Sequence, residues 1–148
     1  MNLIEEEYND LNELEPDDYL EEIYFYSHFG GKFKVFSNFY QCMFYDYESH
    51  KIFKSTEQYF MYHKCKLFNA SEETLDKIMV STPSACKKIG RTKIKNYDDD
   101  LWRKHRKKIM KKGVNLKFTQ DPELLAVLLS TQDKNIYEAS NNDDIWGI

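Results

Sequence analysis

Apolar and polar positions alternate with a short rhythm in the first part of this chain and a longer one after residue 55. Ile23-Tyr-Phe-Tyr-Ser-His-Phe29 and Lys32-Phe-Lys-Val-Phe36 flank Gly30-Gly31. That pattern predicts two strands joined by a tight turn, because glycine enters the positive-φ region that hairpin turns need. Aromatic residues alternate again from Tyr40 to Tyr47, and Ile52-Phe53 offers a short return strand. Tyr and Phe dominate this half and suit a pleated, half-buried surface.

From Ser55 the spacing becomes helical. Ser55 and Gln58 stand as N-cap and third residue of a capping box, and the helix they open runs to about Leu67. Ser71 begins another, with Leu75, Ile78 and Met79 on its apolar side. Thr82-Pro83 starts a short helix that Gly90 ends, with proline at the first position and glycine just past the last. Asp98 to Asp100 place negative charge at the positive end of the next helix, which runs to Gly113. Asp121-Pro122 opens a final apolar helix through Leu124, Leu125, Val127, Leu128 and Leu129. The expected fold class is α+β, with antiparallel aromatic-rich strands first and a mainly helical half after them.

A chain of 148 residues with 41% hydrophobic content has room for one domain with a real core, not two. No apolar run approaches the roughly 18 residues of a membrane span, and no basic-then-apolar signal segment opens the sequence. A soluble, cytoplasmic protein without membrane contact is expected. Cys42, Cys65 and Cys86 are odd in number and widely spaced, and His28, His50, His63 and His105 form no HxxxH or HExxH pattern. Free thiols, no metal and no cofactor are the expectation.

The net charge of -4 conceals an asymmetry. Residues 1–23 carry ten acids and no Lys or Arg, which leaves 15 acids against 21 bases in residues 24–148, a body of about +6. Clustered cations raise the local concentration of anions, so the body suits a phosphate-bearing ligand. The acidic arm reads as a mobile or loosely docked tail. Lying across the basic surface as a competitor is its other reading.

Glu57 and Lys64 lie seven residues apart on the helix expected after Ser55, so two turns place both on one face with Met61 between them. A carboxylate in a first turn is also favoured in its ionised form by the helix dipole; an ordinary solvated acid would sit there equally well. Arg91 follows Gly90 and has the planar fork that grips phosphate, although a surface arginine after a helix stop is common. Trp102 lies in a helix dense with charge, among them Arg103, Lys104, Arg106, Lys107, Lys108, Lys111 and Lys112. With Ile109 and Met110 it forms a core-facing stripe, or else it stacks on a base, a contact worth roughly 1–3 kcal/mol. The basic run is a solvated face or a contact for a nucleic-acid backbone. Asn38 makes an Asx-type turn or offers its amide to a ligand. The last eleven residues bring Glu138, Asp143, Asp144, Trp146 and Gly147 together, acids beside an indole and a glycine, where a surface loop with a hydrophobic plug is the plainer alternative.

Phe36-Ser-Asn-Phe39, Ser55-Thr-Glu-Gln-Tyr-Phe-Met-Tyr-His-Lys64, Gly90-Arg91, Trp102 with Met110 and Lys117-Phe118, Pro122-Glu-Leu-Leu125, Glu138-Ala-Ser140 and Asp143-Asp-Ile-Trp-Gly147 occur in that order. Each is weak alone; together they resemble the YbiA-like family, also called NADAR or DUF1768, over residues 24–148. The resemblance implies an N-glycosidase that hydrolyses the bond between a ribose C1′ and a nitrogen. It implies two substrate classes, ADP-ribosylated guanine in nucleic acid and the ribosylamino-pyrimidine phosphates of riboflavin synthesis. Glu57, Lys64 and Asp143 would then be catalytic, with Asn38, Arg91, Trp102, Trp146 and Gly147 binding substrate. Nucleic acid would meet the protein through Arg103, Arg106 and Lys107. Members of the family continue past the Trp-Gly pair, so residues 24–148 are expected to lack its C-terminal segment, and the acidic residues 1–23 are an extension outside its pattern. A catalytically silent ADP-ribose-binding module and a plain nucleic-acid-binding domain are the competing functions.

Overall fold

The structure, a computed structural model, describes residues 22–25 and 31–138. Strands β1 (Glu22–Phe25), β2 (Phe44–Asp46) and β3 (Lys51–Phe53) precede the helices. The helices are α1 (Thr56–Leu67), α2 (Glu72–Met79), α3 (Pro83–Thr92), α4 (Asp99–Gln120) and α5 (Pro122–Ser130), and strand β4 (Asn135–Glu138) follows them. The architecture is α+β, as the rhythm of the sequence predicts.

The first hairpin is not formed. β1 pairs in parallel with β4, Glu22 opposite Asn135 through Phe25 opposite Glu138, and Tyr24 stacks on Tyr137 with ring centroids 5.5 Å apart. Lys32–Phe36 is a 3-10 helix. In that geometry residues three apart eclipse, so Phe33 and Phe36 stack at 5.7 Å. Phe36 in turn meets Phe118 at 5.8 Å. The same apolar positions that read as a strand thus serve a tighter helix.

The second expected hairpin does form, with Phe44, Tyr45 and Asp46 opposite Phe53, Ile52 and Lys51. Its turn is organised by Asp46, which is buried. The Asp46 carboxylate accepts from the Glu48 N–H at 3.1 Å, the Ser49 N–H at 3.3 Å and the Ser49 hydroxyl at 2.6 Å. His63 Nε2 of α1 lies 2.9 Å from Asp46 Oδ2, the oxygen that Ser49 also contacts. The His63 ring sits 4.4 Å from that of Tyr59 and 5.3 Å from that of Tyr62.

The helix starts are where the sequence puts them. Ser55, Ser71, Thr82, Asp98 and Asp121 each accept a backbone N–H from the first turn they open, a contact worth about 1 kcal/mol. One half of the capping box differs. Gln58 does not reach back to Ser55; its Oε1 accepts from the Lys54 N–H at 2.8 Å, and its Nε2 donates to Ile78 O at 3.1 Å and Met79 O at 3.2 Å. That side chain ties the start of α1 to the end of α2.

Two expected helix ends are corrected. α3 continues through Gly90 to Thr92, and α4 through Gly113 to Gln120. Both glycines are buried against α1. A Cβ on Gly90 would lie 2.1 Å from Met61 Sδ, and one on Gly113 would lie 2.5 Å from Tyr59 Cδ1. They are positions of close helix approach, not stops. α1 is accordingly buried nearly all round, from Thr56 to Tyr62 and again at Cys65, with α2, α3 and α4 packed on it. A smaller cluster of Val35, Phe118 and Leu124 joins the 3-10 helix to α4 and α5.

Candidate active site

The first turn of α1 is polar yet buried: Thr56, Glu57 and Gln58 all lie in the interior. Burying polar groups is unfavourable unless each finds a partner, and the turn at Ser37–Phe39 supplies several. Ser37 Oγ accepts the Phe39 N–H at 3.1 Å, which tightens the turn. Asn38 O then accepts the Glu57 N–H at 3.0 Å, one of the N–H groups that a helix start leaves without an intrahelical partner. The Thr56 hydroxyl donates to Asn38 Oδ1 at 2.9 Å. Asn38 is therefore fastened to α1 through both backbone and side chain.

Glu57 is 7% exposed at the positive end of α1, where a carboxylate is favoured. The Cys86 thiol across from it on α3 is pushed up to about 12, by burial first and by the Glu57 charge second. Two turns further along α1 stands Lys64, half-buried, its Nζ 5.0 Å from the centroid of Trp102 and 5.2 Å from that of Tyr97. Burial holds the Lys64 ammonium below its ordinary value, and the Arg91 charge acts the same way; Cys65 and Glu57 pull in the other direction. Glu57, Lys64 and Arg91 thus share one electrostatic environment. Met61, between the two α1 residues, packs on the bare backbone of Gly90, and this close approach brings the Arg91 end of α3 beside α1.

Trp102 is 5% exposed and packs on Phe60 with ring centroids 5.0 Å apart. The indole also lies under the Lys64 ammonium. The arrangement offers a buried carboxylate, an amine of lowered proton affinity two turns away, an exposed guanidinium and an aromatic wall. Such a set suits a substrate that carries phosphate and develops positive charge as a bond breaks.

Of the residues singled out from sequence, Asn38, Glu57, Lys64, Arg91 and Trp102 converge on this face of α1. Asp143, Trp146 and Gly147 lie outside the described residues. On α4, Arg103 pairs with Asp99 at 2.8 Å, Lys107 is exposed, and Arg106 is half-buried. The Nε of Arg106 lacks a hydrogen-bond partner among the described residues. Two contributors escaped the sequence reading. Thr56 looks like any first-turn residue, and only its contact with Asn38 reveals its part. Tyr97 lies in the connection between α3 and α4, where no periodicity speaks for it; its hydroxyl donates to Asp99 at 2.8 Å. Among the described residues no group of three or more His, Cys, Asp or Glu could hold a metal ion, and no helix is long and apolar enough to cross a membrane.

The NADAR domain model matches residues 24–148. The chain is 37% identical to the N-glycosidase R617 of Acanthamoeba polyphaga mimivirus over 117 residues, 77% of this chain and 68% of that protein. It is 31% identical to the N-glycosidase YbiA of Escherichia coli over 97 residues, 66% of this chain and 58% of the relative. The NMR structure of E. coli YbiA superimposes with a TM-score of 0.71 at 28% identity, covering 88% of this chain and 77% of that one. The named activity of both relatives is that of hydrolases acting on N-glycosyl bonds. With a domain model that spans most of its length and relatives at this level of identity, the chain belongs to the NADAR family.

Proposed function

We propose that this chain is an N-glycosidase that hydrolyses a ribose C1′–N bond, in ADP-ribosylated guanine of nucleic acid or in a ribosylamino-pyrimidine phosphate of riboflavin synthesis. The observation that carries the proposal is the buried Glu57 carboxylate at the α1 N-terminus, on the same helix face as Lys64 and beside Arg91 and Trp102. Cleavage of an N-glycosidic bond leaves the ribose electron-poor, and a carboxylate fixed in a dry site stabilises that charge far better than water does. Glu57 also activates the attacking water, as a general base. By analogy with sugar hydrolases, a second carboxyl group shares the work, and Asp143 takes that role in orienting water or the ribose hydroxyls.

Lys64 donates a proton to the departing nitrogen. Its depressed proton affinity, caused by burial and by Arg91, favours that donation. Arg91 meets a phosphate, Asn38 anchors the substrate beside Glu57, and Trp102 with Trp146 and Gly147 encloses ribose and base. The cations of α4, exposed Arg103 and Lys107 with half-buried Arg106 between them, meet the backbone of a nucleic-acid substrate; of the two substrate classes they favour the ADP-ribosylated one.

The test is a product assay with wild type and Glu57→Gln on a guanine-ADP-ribosylated oligonucleotide and on the ribosylamino-pyrimidine phosphate, with released sugar read by mass spectrometry. Wild type should release sugar from one of them, and the variant should be slower by two orders of magnitude or more. Near-wild-type turnover by Glu57→Gln would remove Glu57 from the chemistry. Saturable ADP-ribose binding without product would make the chain a silent binding module instead.

A further inference from the structure

A lysine buried in the interior without a carboxylate calls for a reason, and Lys117 is such a residue. It is 1% exposed, and among the described residues no acid forms an ion pair with it. Its Nζ donates to Val35 O at 2.5 Å and Ser37 O at 3.0 Å, and lies 5.1 Å and 5.5 Å from the ring centroids of Phe118 and Tyr40. An apolar side chain would fill the same volume without the cost of desolvating a cation. What an apolar residue lacks is the pair of N–H donors for two carbonyls at the end of the 3-10 helix.

Those carbonyls belong to the segment that leads into the site. Ser37 is followed by Asn38, whose carbonyl takes the Glu57 N–H and whose amide oxygen takes the Thr56 hydroxyl. The route from Lys117 to Glu57 consists of named hydrogen bonds: ammonium to Ser37 O, one peptide to Asn38, then Asn38 O to the Glu57 N–H. We propose that Lys117 is a positioning residue, its buried ammonium fixing the Ser37–Phe39 turn so that Asn38 and the first turn of α1 hold Glu57 in register with the substrate. This rests on the glycosidase reading for its catalytic consequence, but the structural part stands without it.

Two variants separate the possibilities. Lys117→Met removes both donors at nearly constant volume, and Lys117→Gln restores donors on a shorter side chain. Hydrogen exchange at the Phe39 and Glu57 amides is read in each folded protein beside kcat and KM on the two probes named above. In Lys117→Met both amides should exchange at least tenfold faster while the middle of α1 stays protected. On whichever probe wild type cleaves, kcat should fall at least tenfold with KM changed less than threefold, and Lys117→Gln should recover part of both. If Lys117→Met does not fold, Lys117→Gln carries the comparison with wild type. Unchanged protection at Phe39 and Glu57, or changed protection with wild-type kcat, overturns the proposal. If wild type cleaves neither probe, the glycosidase reading fails, while the exchange data still decide whether Lys117 fixes the turn.

Discussion

Replacing Gly113 by alanine should destabilise this protein, although the same change in an ordinary helix interior stabilises by about 1 kcal/mol. Gly113 lies inside α4, with helical residues for about two further turns on its C-terminal side. Its missing side chain is where the Tyr59 ring sits: an added Cβ would fall 2.5 Å from Cδ1 and 2.9 Å from Cε1. The ring cannot retreat freely. It is held by Phe53 edge-on at 5.2 Å, by His63 at 4.4 Å and by Phe44 at 5.9 Å, and the residue is buried. Either α4 moves off α1 or Tyr59 leaves its rotamer, and overpacking of this kind costs about 1–3 kcal/mol. Set against the propensity gain of about 1 kcal/mol, the expected net loss is about 1 kcal/mol, with about 2 as its upper reach.

Urea unfolding at neutral pH reads this as a lower midpoint at unchanged slope. The control is the same substitution in a Tyr59→Leu background. There the ring is gone, so Gly113→Ala should become neutral or stabilising, a coupling of about 1–2 kcal/mol between contacting residues. A Gly113→Ala protein as stable as wild type would refute the close-approach reading of this glycine. So would equal effects of the substitution in the two backgrounds.

Two further outcomes concern pH. Burial pushes the Lys117 ammonium down to about 8 from 10.5, so between those values the unfolded chain binds more protons than the folded one, and stability should rise with pH through that window. From pH 7 to 9 the unfolding free energy with Lys117 in place should gain about 1 kcal/mol relative to Lys117→Met, both read in a Cys42→Ala background because the Cys42 thiol is coupled to Lys117; a flat difference would contradict the assignment. For Asp46, burial alone would raise the carboxyl, but hydrogen bonds from Ser49, the Glu48 N–H and His63 hold it below its ordinary 3.8. Its contribution is therefore present above that value and lost as pH falls through the lower folded one. Asp46→Asn should cost about 1–3 kcal/mol at neutral pH, with urea midpoints converging on wild type as pH drops below 4; parallel curves over that range would show that the charge does not matter.

Helix starts were legible because a cap is a local event. Ser55, Ser71, Thr82, Asp98 and Asp121 each bond an N–H two or three residues away, so the residue type alone nearly decides it. Glycine has no such single meaning. Gly90 and Gly113 follow helical runs as a C-terminal glycine would, yet their purpose is set by Met61 and Tyr59, more than 25 residues away in the chain. The strand at Ile23 was legible as a strand but not its partner, because alternation reports which face is buried, not which strand lies alongside. The site divides the same way. Glu57 and Lys64 share a face by helical arithmetic, whereas Lys117 looks like the other lysines of its helix, and only the carbonyls of Val35 and Ser37 distinguish it.

The polar start of α1 is the least economical feature of the fold by stability alone, since apolar residues would fill that space without needing partners. Each polar group there is nevertheless answered: Thr56 by Asn38, the Glu57 N–H by Asn38 O, and Gln58 by Lys54, Ile78 and Met79. A network satisfied from the β3–α1 connection, the Ser37 turn and the end of α2 leaves little freedom for α1 to rotate or slide. Met61 on Gly90 and Tyr59 on Gly113 fix its depth against α3 and α4. A carboxylate carried on such a helix is held in place before substrate arrives, which is what electrostatic stabilisation of a developing cation requires. On the proposed role of Glu57, the contacts that fix α1 serve catalysis as much as stability. A substitution that lets the helix shift by a fraction of an ångström should lower turnover before it unfolds the protein, so Gly113→Ala should lose activity at temperatures where it is still fully folded.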